Sequence, residues 1–238
     1  MEPSARPDAP GARAWRRRSA RWLGSLLILA GVVGLAWVAT ITLWQDPLTA
    51  IYAKRSQSHL SSAYEERVRK IQPTLVTPAA KRVPLATVAR RFRTSSSTGQ
   101  AVGRLVVPRM GLSTVIVAGT DTASLQKGPG LDERTHMPGE GQLVYIAGHR
   151  TTYLAPFSHI DRLKPGDRVQ LSTPYARFEY RVTGHAIVPA TDVGRLQSRG
   201  YEELALQACH PRFFATQRYI VYARLVGVQR IHGIALSK

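Results

Sequence analysis

Cys209 is the only thiol in the 238 residues, and it ends an apolar run, Leu204-Ala205-Leu206-Gln207-Ala208-Cys209, ahead of His210-Pro211. A thiol does covalent chemistry when it is held as thiolate or beside a base. It also needs a proton donor for the leaving group, and a cation or N–H donors for the developing oxyanion. Two side chains stand at suitable places. His149 closes a second apolar run, Gln142–Gly148, and Arg218 opens the run that follows Cys209. Spacing alone leaves the thiol open between a nucleophile and a buried small hydrophobe, and Arg218 open between a catalytic cation and a surface charge. His210 adjoins the thiol, yet adjacent side chains of a strand point to opposite faces, which makes it a poor base for Cys209. A lone Cys excludes an intrachain disulfide framework and a multi-thiolate zinc site. No obvious carboxylate cluster for calcium is present.

The elements that must position these groups read as strands. Pro211 cannot continue a hydrogen-bonded ladder, so the strand before it ends at the thiol and presents it at a rim. GRLVVPRM and LSTVIVAG are short apolar runs joined at Met110-Gly111, and further runs cover 142–149, 167–173, 176–189, 204–209 and 218–228. Phe178, Tyr180 and Val182 alternate with Glu179 and Arg181, the period of a half-buried strand. TDTASLQKGPG and PFSHIDRLKPGD read as single helical turns closed by Gly-Pro-Gly and Pro-Gly. The expected class is all-β, a closed barrel with short helices.

Taken together, AGHRTTYLAPFSHIDRLKPGD (147–167) and LALQACHPRFFATQRYIVYARL (204–225) resemble the sortases, most nearly the actinobacterial class E group. KGPG (127–130) and PGEG (138–141) stand upstream as in that group. The resemblance implies an eight-stranded barrel over 101–238 with Cys209 as nucleophile, beside His149 and Arg218. It implies cleavage of a C-terminal sorting signal of the Leu-Pro-x-Thr-Gly type, with Ala tending to replace Pro in class E, between Thr and Gly. A thioester on the Cys is then resolved by an amine of a cell-wall precursor, and the resemblance implies that this chemistry needs no metal or organic cofactor. The implied partners are sorting-signal-bearing secreted proteins and that peptidoglycan precursor. The family commonly has Thr just before the nucleophile, where it contacts substrate. Here Ala208 takes that place, so Ala208 and His210 are candidate substrate contacts with altered specificity.

The formal charge of +18 is concentrated before the barrel. A basic stripe on the folded part is what nucleic-acid binding would need, so no nucleic-acid partner is expected. Trp22–Trp44 carries no charged residue, and Arg13, Arg16, Arg17, Arg18 and Arg21 precede it. Such a run is long enough to cross a bilayer, and the positive-inside rule puts residues 1–21 in the cytoplasm and 45–238 outside. The run is too long for a cleaved signal peptide. After Asp46-Pro47, a helix is expected through about Ile71, stopped by Pro73, Pro78 and Pro84, and RRFRTSSSTGQ (90–100) has the composition of a solvated linker. Residues 45–100 are thus expected as a basic extracytoplasmic stalk. Two other functions remain open at this point: a pilin-polymerising enzyme in which a Lys amine resolves the thioester, and an inactive barrel that binds anionic wall polymer.

Overall fold

The computed structural model describes residues 10–43, 47–75, 77 and 82–231. Trp44, Asp46 and Pro78 lie outside the described residues. The chain forms two compact units, Met1–Gln45 and Asp46–Lys238.

The first unit is helix α1 (Pro10–Leu43). Within it Ser19–Ala39 has a mean hydropathy of 2.1 and is long and apolar enough to cross a membrane. Its apolar side chains point outward all round, Leu27, Ile28 and Leu35 among them. That distribution suits lipid and not water.

The second unit is a closed barrel in the order β1-β2-β3-β4-β7-β8-β6-β5. The strands are β1 (Ala101–Val107), β2 (Leu112–Ala118), β3 (Gly130–Leu131), β4 (Leu143–Ala147), β5 (Arg168–Ser172), β6 (Ala176–Pro189), β7 (Glu203–His210) and β8 (Gln217–Arg230). β2–β3 and β4–β7 are parallel pairs, and the other neighbours are antiparallel. Alternation does the sorting. Val144, Ile146, Leu204, Leu206, Val221 and Ala223 point into the main core. Tyr145, Ala205, Ile220 and Tyr222, one residue away, form a separate cluster on the outer face.

The all-β expectation with short helices is overturned. Helix α2 (Pro47–Leu75) has 29 residues and α3 (Leu85–Thr94) has 10, and both pack on the barrel; α4 (Thr122–Lys127) is the short turn expected. Leu60, Tyr64 and Val68 of α2 recur every four residues and bury against Ala101, Val115 and Val117. The Tyr64 hydroxyl donates to Ser172 O at 2.9 Å. Pro73 does not stop α2. It lies inside the last turn, where it removes one intrahelical N–H, and α2 runs on to Leu75. Nor is 90–100 a solvated linker throughout. Ala89 and Phe92 of α3 are buried in the main core, with Leu85 and Val88 packed beside them. That apolar stripe is interleaved with Arg90, Arg91 and Arg93, and the charge count hides it. Arg67 ties α2 to α3, its guanidinium 4.3 Å above the Phe92 ring and donating to Ser96 Oγ at 2.7 Å.

Candidate active site

Strand pairing brings three of the five expected site residues together. Cys209 stands directly opposite Arg218 in the β7–β8 ladder. β4 runs parallel to β7 with Ala147 beside Gln207, and the Gly148 N–H extends the pairing by donating to Gln207 O at 2.9 Å. His149 is therefore two residues past its register mark, as Cys209 is past its own. A β-carbon on Gly148 would lie 2.7 Å from the Phe157 ring, so only glycine lets the chain pass there. All three side chains line one groove of about 290 Å³ on the outer face of the sheet. Its floor includes Tyr145, Gln207 and Ile220, and one wall is the β6–β7 connection with Val193 and Leu196.

The environment of each group is distinct. Burial holds the His149 imidazole below the ordinary histidine pKa, so the neutral ring is favoured. Its Nε2 is buried without a hydrogen-bond partner. The Tyr153 ring packs on the imidazole with centroids 5.1 Å apart. Arg218 donates from Nη1 to Ala215 O at 2.8 Å and to Gln217 O at 3.0 Å, which anchors the guanidinium at the groove edge by one nitrogen. At another edge, Asp132 is held below the usual carboxylate range. Burial pushes it up, but two hydrogen bonds from the Arg134 guanidinium, at 2.9 and 2.7 Å, outweigh that.

The other two expected residues sit elsewhere. Ala208 is fully buried and points into the barrel core, not into the groove. This is a consequence of alternation, because the residue before an outward thiol must face inward. His210 shares that inward phase at the strand end, where its Nδ1 lies 2.9 Å from Arg150 Nη1. An arginine only donates, so Nδ1 is the acceptor there. The His210-Pro211 peptide is cis.

Sequence reasoning missed Arg150. Its side chain is only 5% exposed, and it donates to Cys209 O at 3.3 Å, pairs with Asp161 at 3.1 Å and lies 5.6 Å from the Tyr219 ring centroid. It thereby links the segment after His149 to the residue that bears the thiol. The adjacency His149-Arg150 was the available signal. Tyr153 was missed as well, and nothing in the composition of 151–155 singles it out.

Among the described residues, no group of three or more His, Cys, Asp or Glu is arranged to hold a metal.

Comparison with known proteins identifies the family. The Sortase domain model matches residues 105–226. Sortase D of Bacillus subtilis is 34% identical over 133 residues, which is 54% of this chain and 66% of that protein. Sortase SrtE1 of Streptomyces coelicolor is 24% identical over 242 residues, covering 93% of this chain and 60% of that one. The chain thus spans no more than about two thirds of either relative. Among solved structures, sortase E of Streptomyces avermitilis is 32% identical with a TM-score of 0.51, covering 56% of this chain and 93% of its own. Sequence and fold converge on one assignment: the chain belongs to the sortase family and is homologous to the class E sortases of Streptomyces.

Proposed function

We propose that this chain is a membrane-anchored cysteine transpeptidase. It cleaves a C-terminal sorting signal of the Leu-Pro/Ala-x-Thr-Gly type between Thr and Gly and transfers the protein to a cell-wall precursor amine. The observation that carries the reading is the pairing of Cys209 with Arg218 across two strands, in the same groove as His149, whose Nε2 has no hydrogen-bond partner. The Cys209 sulfur attacks the Thr carbonyl carbon as its proton passes to the His149 imidazole. Free N–H groups of Arg218 stabilise the oxyanion. The C–N bond breaks as the imidazolium returns that proton to the departing Gly amine, leaving a thioester. An incoming amine attacks the thioester, its proton passes to the imidazole, and the thiol is released. The apolar wall of Val193 and Leu196 suits the Leu of the signal, while the Ala208 side chain lies outside the groove. The apolar stretch of α1 and the arginines toward the N-terminal end of the same helix support an N-in anchor with the barrel outside the membrane.

The test is mass spectrometry of the full chain in detergent after incubation with Leu-Pro-x-Thr-Gly and Leu-Ala-x-Thr-Gly peptides. Without an amine, the Cys209 peptide gains the acyl fragment. With an added amine, that fragment moves to the amine. No adduct with either peptide would overturn the reading.

A further inference from the structure

His149 has a neighbour that belongs to neither β4 nor the groove floor. The Tyr153 ring that packs on the imidazole is met edge-on by Tyr52 of α2, with centroids 6.2 Å apart and planes at 75°. The Tyr153 backbone N–H donates to Thr49 Oγ1 at 3.1 Å. Thr49 and Tyr52, three residues apart, share one face of the helix. Between them they grip a segment in an unusual conformation. Tyr153, Leu154 and Ala155 have φ of 51°, 64° and 40°, three consecutive non-glycine residues in the left-handed region. Such a run persists only where its surroundings over-determine it. Ala155 and Phe157 are buried and hold it from the barrel side, while Thr49 and Tyr52 hold it from outside. α2 itself is fixed. The Gln57 amide donates to Val115 O and Lys127 O, at 3.1 and 2.8 Å, and accepts from Val115 N–H and the Thr114 hydroxyl, both at 2.9 Å.

We propose that Thr49 and Tyr52 are positioning residues for His149, acting through Tyr153, so that the start of α2 is a working part of the catalytic site. The proposal rests on the reading of His149 as the proton carrier of the transpeptidase. Small displacements of a catalytic group are costly, since about 1 Å of misplacement lowers a rate by up to a hundredfold. A loosened 149–155 segment would also admit water to the imidazole and remove the burial that favours its neutral form.

The full chain in detergent micelles, as wild type, Tyr52→Ala, Tyr52→Phe, Thr49→Val and Arg55→Ala, provides the test. The readouts are kcat and KM for transpeptidation and the NMR titration of the His149 ring. The variants leave the groups lining the groove near the ring, Cys209, Arg218, Asp132 and Arg134, unchanged, and Tyr153 as well. Tyr52→Ala is expected to lower kcat by about ten- to a hundredfold with KM little changed, and to move the His149 titration upward. Thr49→Val should do the same to a smaller extent. Tyr52→Phe, which keeps the ring, and Arg55→Ala, on an exposed position, should match wild type. An unchanged titration in Tyr52→Ala would overturn the proposal, as would a shifted titration with unchanged kcat or an equal loss in Arg55→Ala. If the wild type forms no thioester on Cys209, the transpeptidase reading fails by itself. The titration still decides whether α2 sets the environment of the ring.

Discussion

Leu204, Leu206 and Ala208 of β7, with Tyr219, Val221 and Ala223 of β8, face the apolar interior that is closed by the barrel. Gln207, Cys209, Arg218 and Ile220, interleaved with them on the same two strands, face an open groove. The same backbone hydrogen bonds hold both sets. The inner set supplies the rigidity, and the outer set inherits it as fixed geometry without having to fill space. A thiol displaced by one residue would therefore trade chemistry for packing. The resemblance of the sequence to its family placed Ala208 and Cys209 at one substrate site, and the pleat separates them.

The sharpest way to break this comparison is to move the thiol across the sheet. Cys209→Ala is expected to abolish thioester formation while leaving the fold intact, since little volume is lost. The double variant Ala208→Cys/Cys209→Ala keeps one thiol in the chain but turns it into the core. It should stay inert to iodoacetamide and inactive toward peptide. Turnover by the double variant would mean that the groove is not where the reaction occurs.

Arg218→Lys is next in size. Lys keeps the charge but loses the planar fork that can donate to Ala215 O and an oxyanion together. The expected loss in kcat is about a hundred- to a thousandfold, the usual effect of removing one oxyanion donor. Arg224→Ala, on the outer face beside Tyr201, should stay near wild type and serves as the charge control. Equal losses at both positions would reduce Arg218 to a general electrostatic contribution.

On the inner face the effect should be one of stability and not of chemistry. Leu206 is fully buried, and Leu206→Ala is expected to cost about 2–5 kcal/mol in denaturant unfolding. At low denaturant, the alkylation rate of Cys209 should be nearly unchanged. A large drop in alkylation at full folding would show that the two faces are not independent.

How much of this the sequence disclosed follows from the same physics. Strong alternation in 176–182 and the largely apolar runs 143–147 and 204–208, the latter broken only by Gln207, marked β6, β4 and β7, because burial on one or both faces writes itself into residue type. β3 is two residues long, Gly130-Leu131, and carries no period to detect. α3 was hidden by its arginines, and the length of α2 by Pro73. The thiol was legible as the only one in the chain and the imidazole as a scarce type at a strand end, whereas Arg218 belongs to an abundant type and stood out only through its place after Cys209 and the family resemblance. Arg150, Thr49, Tyr52 and Tyr153 were not. Their contacts join segments far apart in the chain, and nothing in the pattern of either partner announces the other.

The smallest expected effect concerns pH and isolates His149 from the rest of the groove. Burial lowers its folded pKa beneath the unfolded value of about 6.5. As pH falls below that value, the unfolded chain takes up a proton that the folded chain refuses, so stability drops with acid. The direction is fixed by the sign of the shift, and the loss ends once pH passes the folded pKa. One proton sets a ceiling of about 1.4 kcal/mol per pH unit, and the partial exposure of the ring keeps the real slope below it. Glu202 and Glu203 act the opposite way. Burial raises both carboxyls, so the folded chain binds their protons first and gains stability as pH falls toward the ordinary carboxylate range. The total curve therefore mixes the two signs, and the informative quantity is the difference between wild type and His149→Gln. That difference should be flat above about pH 7 and grow in favour of the variant as pH falls through 6. A flat difference across the whole range would mean that the imidazole is as well solvated as a free histidine. In that case the neutral, unpartnered Nε2 would no longer distinguish the groove from the exposed surface around it.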